Sequence, residues 1–255
     1  MENINYINLI TGIFVGGAAG YLGSIMVLRK MALVGDALSH VALPGIALAL
    51  LFNINPFIGA FSILFIATIG IWFLEQRTSL SVDALVGVFF TASLAIGILI
   101  TPEMELLEAL FGDISKVTPN EAILSVILSI FIIFVTKYIS KNEILGIISK
   151  DLAKTEGIKI ERNNLIYLLL VSTVVALGIK AVGTLLMGAL VIIPAASAKN
   201  ISSNFKNYSV FSLIFGSLSS ALGILLVQKI NLPSGPLIIL SSCIIFTLSV
   251  IFRKR

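Results

Sequence analysis

The chain has 255 residues, of which 58% are hydrophobic and 12% are charged. Soluble globular domains are usually about 45–50% apolar and about 25% charged, so this chain has too few polar residues to cover a surface exposed to water. The composition therefore predicts a membrane protein, and it argues against a soluble enzyme, a nucleic-acid-binding module and a disordered chain. We attribute the formal net charge of +4 to basic residues that anchor cytoplasmic loops, not to a nucleic-acid partner.

Two residue counts exclude several kinds of site. The single cysteine, Cys243, excludes an internal disulfide framework and a cysteine-rich metal site. The single histidine, His40, excludes any site within one chain that needs two imidazoles, including the H-E-x-x-H zinc site of metalloproteases.

Apolar runs alternate with short polar breaks along the chain, and a helix needs roughly 20 apolar residues to cross a bilayer. This pattern predicts an all-α polytopic protein with one membrane domain over 1–255, and nine spans, or eight if the second is broken. The expected spans are about 7–28, 31–52, 57–74, 84–101, 121–139, 165–181, 183–198, 209–228 and 236–252. In the first span, the spacing of Gly12, Gly16 and Gly20 predicts close packing against another helix.

The distribution of basic residues predicts the orientation of the chain, because cytoplasmic loops are rich in Lys and Arg. If Arg29 and Lys30 lie inside, all but three of the 17 basic residues also fall on the inner side. The three exceptions are Lys116, Lys180 and Lys229. We therefore expect the N-terminus outside and the C-terminus in the cytoplasm.

The expected outer loop, 102–120, is acidic. It carries Glu103, Glu105, Glu108 and Asp113, and these carboxylates predict an acidic mouth that attracts divalent cations. The MELLEALF stretch in this loop is expected to form a short amphipathic helix.

The expected inner loop, about 140–164, is too polar to span a membrane. Its apolar residues at 144, 145, 147, 148 and 152 nevertheless recur at helical spacing. A helix with apolar side chains in a cytoplasmic loop indicates a docking site for a partner protein.

The stretch 31–50 contains the residues most suited to chemistry. Asp36 and His40 are four residues apart and therefore share one helix face. Ionisable groups inside a bilayer cost about 2.5–3.5 kcal/mol each on the mildest scale, so they need partners or a function. In one interpretation the pair is a waypoint for zinc, manganese or ferrous iron, whose ligands include imidazole and carboxylate. In the other it is an intrahelical Asp–His pair that only fixes helix packing.

Two ligands are too few to hold a divalent metal firmly, because closed zinc sites usually have four. A two-fold dimer would supply a second pair, and weak binding suits an ion that must also leave. Pro44 removes the N–H that would bond the His40 carbonyl, which predicts a kink, either for packing or to free that carbonyl.

Two charged residues lie at the ends of spans. Asp83 is expected first as a cap at the start of the fourth span, where an acid is favoured by the helix dipole, and second as a gating residue. Lys180, at the outer end of the sixth span, either extends its side chain to the membrane surface or repels cations and locks an outer gate.

The sequence resembles the membrane permease subunits of bacterial ABC importers for zinc, manganese and iron. The matching pieces are MALVGDALSHVALPGIALAL at 31–50, SVDALVGVFF at 81–90, LFGDI at 110–114, VGTLLMGALVIIPAASAK at 182–199 and LPSGPLIILSS at 232–242. They follow the order of the family and cover nearly the whole chain.

The resemblance implies a homodimer in the inner cell membrane with the fold of the cobalamin importer's membrane subunits. It also implies two cytoplasmic ATPase subunits that bind ATP, an external metal-binding delivery protein, and no tightly bound cofactor. Asp36 and His40 match the family's G-D-x-x-x-H element and become the candidate metal site. Asp151, Ala153 and Gly157 match its ATPase-docking loop. The chain is not expected to be an enzyme, since it has no G-x-x-x-x-G-K-[ST] loop of its own for ATP hydrolysis.

Two competing functions stay open at this stage. A permease of the same fold for a metal chelate or cobalamin would need a wide pore with polar and aromatic walls. An intramembrane hydrolase would need a second histidine, a Ser–Lys pair or twin aspartates within a span, and the sequence has none of these.

Overall fold

The computed structural model describes residues 6–100, 109–230 and 232–253, which form helices and their connections without a strand. In chain order the helices are α1 (Tyr6–Leu28), α2 (Val34–Val41), α3 (Leu43–Leu51), α4 (Pro56–Arg77), α5 (Val82–Ile100), α6 (Pro119–Ile148), α7 (Lys150–Thr155), α8 (Ile160–Val182), α9 (Met187–Ile201), α10 (Phe205–Ile230) and α11 (Ser234–Ile251). A 3₁₀ turn covers Ile114–Lys116. The predicted all-α polytopic fold is confirmed.

Within the described residues, eight helical segments are long and apolar enough to cross a membrane, with α2 and α3 counted together as Val34–Leu51. The predicted span 183–198 corresponds to α9, which begins only at Met187 and has 15 residues. At 1.5 Å per residue it is about 22 Å long, less than the roughly 30 Å of a hydrocarbon core.

The short helix α9 still joins the two ends of the bundle. Where α8 ends, Ser234 at the start of α11 donates a hydrogen bond from Oγ to the Ala181 carbonyl (2.7 Å). Near the other end of α11, Asn200 of α9 donates from Nδ2 to Ser249 Oγ (3.0 Å). The non-helical residues 183–186 and α9 together therefore follow almost the whole length of α11.

The second span is broken at Ala42, between α2 and α3. Pro44 has no N–H to bond the carbonyl four residues before it. The Ala42 N–H instead bonds the Ser39 carbonyl (3.3 Å), a tighter turn than an α-helix makes. The expected helix break at this proline is therefore present, close to His40.

Helix α1 is largely buried and packs against α10 through small residues. A Cβ placed on Gly16 would lie 2.5 Å from the Gly216 carbonyl oxygen, and one on Gly20 would overlap the Ser212 carbonyl. Such contact needs glycine because any side chain would push the backbones apart. The expected role of the α1 glycines in close packing agrees with these contacts.

The inner segment 140–164 is mostly helical, as the spacing of its apolar residues predicts, but its helical residues belong mainly to the ends of α6 and α8 and not to one separate loop helix. Helix α6 continues to Ile148 and α8 begins at Ile160, so only 149–159, which includes α7, lies between these two helices. Among the polar residues that lower the hydropathy here, Glu143 is buried against Arg29.

The predicted outer features fall largely outside the described residues. This applies to Glu103, Glu105 and Glu108 of the acidic mouth and to 104–108 of the expected amphipathic helix. Residues 109–111, at the end of that stretch, are helical.

Candidate ion pathway

The imidazole of His40 is buried and held by the backbone of its own helix. The side chain is 8% exposed, and its Nδ1 lies 3.1 Å from the Asp36 carbonyl oxygen. A carbonyl only accepts hydrogen bonds, so this contact requires a proton on Nδ1, and in a neutral ring Nε2 is then the nitrogen that carries the lone pair. That tautomer, oriented by a backbone carbonyl, is the form in which imidazole binds metals. Phe90 of α5 contacts the ring edge-on, with 5.2 Å between centroids.

The carboxylate of Asp36 does not pair with this ring. The side chain is partly exposed, and the described residues give it neither a hydrogen bond nor an ion pair. The intrahelical Asp–His pair of the packing interpretation is thus replaced by a contact between the ring and the main chain. Whether the two residues bind a metal stays a prediction.

Helix α2 is fixed in place by Ser39 and by a glycine of α9. The buried Ser39 hydroxyl donates to the Thr184 carbonyl (2.5 Å), in the non-helical segment before α9. A Cβ at Gly188 would overlap Asp36, so only glycine lets α9 approach α2 this closely. The segments 31–50 and 182–199, far apart in sequence, therefore build one site.

Asp83 lines the same cavity as Asp36. This cavity of about 380 Å³ lies between α2 and α5, and its wall also includes Lys30 and Phe90. The expected capping oxygen at the start of α5 comes instead from Ser81, whose Oγ accepts from the Ala84 N–H (3.3 Å). No local sequence pattern indicates that Asp36 and Asp83 share a cavity, because their proximity depends on the packing of two helices.

The acids and the histidine do not form a closed metal site within one chain. Across the described residues, no group of three His, Cys, Asp or Glu side chains is arranged to hold an ion. One chain thus offers isolated ligands, an arrangement suited to brief contacts with a passing cation.

A second, more polar cavity of about 590 Å³ lies towards the end of the bundle where α7 is found. Arg29 crosses its wall: Nη1 lies 3.2 Å from Glu143 Oε2, and Nη2 donates to Asn164 Oδ1 (2.6 Å). Asn164 in turn donates from Nδ2 to Glu75 Oε2 (2.5 Å), and the guanidinium lies 4.8 Å from the centre of the Tyr167 ring. The sequence pattern predicts Arg29 only as an anchoring charge and does not predict this network. The isolated acids at 75 and 143, each near the polar end of an apolar run, were the available signal.

The short helix α7 presents an exposed surface at this end. Ala153 is fully buried (0% exposed), whereas Asp151 is exposed and Leu152 is 48% exposed. Gly157 ends the turn with φ +75°, and the Ile158 N–H bonds the Ala153 carbonyl (3.0 Å). This left-handed glycine cap explains the Ala-x-x-x-Gly spacing: alanine packs inward and glycine reverses the chain.

At the opposite end Lys180 is held in an ion pair. Its Nζ lies 2.6 Å from Glu121 Oε1, which also accepts from Asn55 Nδ2 (3.0 Å). Glu121 also completes a capping box with Thr118 at the start of α6. The pair joins α8 to α6 beside a cavity of about 230 Å³ that Asp113 and Lys180 line. Asp113 itself accepts from the Ser115 N–H (2.9 Å) and so caps the 3₁₀ turn.

The sequence matches the ABC 3 transport family over residues 2–253. The chain belongs to this family. The resemblance noted from the five sequence pieces is therefore confirmed, and the fold is that of an ABC transport permease.

Several named transport proteins are similar to this chain over almost their full length. The manganese transport system membrane protein MntC of Listeria monocytogenes is 30% identical over 97% of this chain and 90% of its own. The high-affinity zinc uptake system membrane protein ZnuB of Haemophilus influenzae is 32% identical over 100% of both chains. Among solved structures, PsaBC from Streptococcus pneumoniae in complex with Fab aligns with TM-score 0.84 and 29% identity, over 97% of this chain and 91% of that one.

In this ABC 3 permease the predicted site residues fall into three separate places. Asp36 and Asp83 line the cavity between α2 and α5, and His40 contacts Phe90 on its wall. Asp151, Ala153 and Gly157 lie on or beside α7. Lys180 and Asp113 line the cavity at the opposite end.

Proposed function

We propose that this chain is the permease of an ATP-driven importer for manganese or zinc, and that two copies form the translocation path. The observation that carries the proposal is similarity over nearly the full length to both a manganese and a zinc transport membrane protein. Imidazole and carboxylate ligands suit manganese, zinc and ferrous iron, so iron belongs to the same proposal.

The transported ion is proposed to pass Asp36 and His40. The free Nε2 of His40 and the unpaired carboxylate of Asp36 are one neutral and one anionic ligand on a single helix. Two ligands bind a divalent ion weakly, and the same helix of a second copy supplies the other half of the site. The free ligands and the break at Ala42 support this role better than a packing role.

The partners are proposed from the two ends of the bundle. The exposed face of α7 docks one cytoplasmic ATPase subunit per permease, which hydrolyses ATP and moves the helices that contact α7. An external metal-binding protein delivers the ion to the end that holds Lys180 and Asp113. This arrangement places α7 and the C-terminus in the cytoplasm and the N-terminus outside, in the cell membrane.

The cavity beside Asp36 argues for a bare ion over a chelate or cobalamin. Pockets for drug-sized ligands range from about 300 to 1,000 Å³, and this cavity of about 380 Å³ is at the low end. The polar side chains on its wall are all charged, which suits an ion better than an organic ligand.

Uptake of radioactive manganese and zinc tests the proposal in cells that contain the permease, its ATPase and its delivery protein. We expect Asp36→Asn and His40→Ala each to abolish uptake per molecule of permease. Asp36→Asn keeps the shape and removes charge, and His40→Ala removes the only imidazole in the chain.

Glu161→Gln is the matched control, since it changes an acid to an amide in the first turn of α8, outside these cavities. This control should transport like the wild type. Near-normal uptake per molecule in both test variants, with reduced amounts of permease, would instead assign the pair to folding.

A further inference from the structure

Two cavities meet in the half of the molecule that holds α7. We call the cavity of about 380 Å³ between α2 and α5 the Asp36 cavity, and the more polar one of about 590 Å³ near α7 the inner cavity. Among the described residues, two line both cavities: Lys30 and Asp83. An ion that leaves Asp36 towards the inner cavity therefore passes an acid and a base at the boundary.

The walls of the two cavities differ in polarity. Apart from Lys30, Asp36 and Asp83, the Asp36 cavity is lined mainly by apolar side chains such as Val86 and Phe90. A divalent cation in such surroundings is costly unless carboxylates offset its charge. Asp36 and Asp83 together balance the +2 charge of the ion, which leaves Lys30 as the remaining charged residue of the wall.

The inner cavity is suited to rehydrate the ion. Liquid water occupies about 30 Å³ per molecule, so the cavity has room for many. Asn163 on its wall is 6% exposed, and its Nδ2 has no hydrogen-bond partner. A buried amide of this kind in a polar, roomy cavity calls for water or a ligand.

Lys30 adopts a backbone conformation that favours glycine. Its φ is +59°, and the one other described non-glycine residue with positive φ is Asn53, at +54°. Lysine is less tolerant of this region than asparagine, which can bond locally. Costly backbone conformations of this kind cluster at functional sites, and here the residue that adopts one is an exposed lysine on the wall of both cavities.

We propose that Asp83 is a second carboxylate that receives the divalent ion from Asp36, and that Lys30 replaces the ion as counter-charge once it enters the inner cavity. The proposal rests on the proposed function. Asp83 accepts the ion because it is the one acid on the walls of both cavities. Lys30 promotes release because an ammonium competes with the cation for the same carboxylate.

The first test changes Asp83 in the complete importer, reconstituted in liposomes, with radioactive manganese and zinc as probes. We expect Asp83→Asn to lower the maximal uptake rate per permease by about tenfold, the factor that corresponds to 1.4 kcal/mol. Asp83→Glu keeps the charge and should retain most of the rate. Half-saturation by the loaded delivery protein should not change, since Asp83 lies far along the path from its docking end.

If Asp83 serves only to stabilise the start of α5, the expected uptake rate of Asp83→Asn is different. Ser81, not Asp83, caps α5, and a negative charge in the first turn stabilises a helix by only about 0.3–1 kcal/mol, so Asp83→Asn would then transport like the wild type. Wild-type uptake in Asp83→Asn overturns the proposal.

The second test compares Lys30→Gly with Asn53→Gly. Both changes relieve a positive-φ residue after a helix, but only the first removes a charge from the cavities. We expect Asn53→Gly to transport normally and Lys30→Gly to lose several-fold in rate while its thermal stability is kept or raised. Equal transport by the two variants overturns the role of Lys30.

These experiments distinguish a failure of the proposed transport function from a failure of the proposed role of Asp83. If the wild-type complex carries neither metal, the proposed function fails. If the wild type transports, Asp36→Asn does not, and Asp83→Asn does, only the inference about Asp83 fails.

Discussion

The contact between α2 and α9 requires glycine at position 188, because Asp36 leaves no room there for a side chain. A Cβ there would overlap the Cα, Cβ and N of Asp36, and backbone atoms cannot move aside as a flexible side chain can. The identity of this residue therefore sets the position of the candidate metal ligand as well as the packing of α9.

We expect Gly188→Ala to destabilise the permease by about 1–3 kcal/mol, the usual cost of inserting a group into a packed core. Thermal denaturation in detergent should show a lower midpoint, and metal uptake per molecule should fall because Asp36 is displaced. Gly146→Ala is the control for stability: a Cβ on Gly146 meets nothing within 4 Å, and alanine favours a helix. Equal midpoints for the two variants would show that α9 adjusts to the extra methyl group.

At the scale of elements, α7 depends on the glycine that ends it. The φ of +75° at Gly157 is unfavourable for residues with a side chain, yet a Cβ there would meet no atom within 4 Å. Any effect of substitution must therefore come from the backbone or from a partner protein, not from a clash inside the chain.

This distinction gives a graded prediction for Gly157. Asparagine tolerates the left-handed region better than alanine, so we expect association with the ATPase to decrease from wild type to Gly157→Asn to Gly157→Ala. Gly157→Asp adds a charge at the docking surface and should uncouple uptake from ATP hydrolysis while the permease still reaches the membrane. Co-purification of the ATPase and uptake per ATP hydrolysed measure the two effects, and wild-type values in all three variants would exclude α7 as the coupling element.

Elements defined by continuous apolar runs could be predicted from the sequence, whereas those defined by tertiary contacts could not. The runs gave the spans and the proline gave the break near Ala42. The extension of α6 to Ile148 was missed because hydropathy falls around Glu143, which is buried only by virtue of Arg29. The sequence predicts a span from 183 because the leucines at 185 and 186 continue the apolar run. In the structure the N–H groups of Thr184 and Leu185 instead bond the carbonyls of Ala109 and Leu110, and α9 begins only afterwards.

The same limit applies to the site. Asp36 and His40 could be found because they are four residues apart on one helix in an apolar run. The place of Asp83 beside them depends on how α5 packs against α2, which no local pattern reveals. The orientation of the His40 ring by the Asp36 carbonyl likewise required coordinates.

At the scale of the whole molecule, the basic residues separate between two ends. Arg29, Lys30 and Lys150 line the inner cavity, whereas Lys116 and Lys180 line the cavity at the opposite end. The excess of Lys and Arg in cytoplasmic loops, read from the sequence, predicts the same division: the first group lies on the inner side of the membrane and the second on the outer side.

This separation predicts that α7 is cytoplasmic and that the start of α6 faces outside. Lys154→Cys and Asn120→Cys place thiols at exposed positions near these two ends, in a background with the natural Cys243 changed to serine. A membrane-impermeant maleimide added to intact cells should label position 120, and position 154 should react only after the membrane is opened. Labelling of position 154 in intact cells would reverse the orientation and, with it, the side on which an ATPase can reach α7.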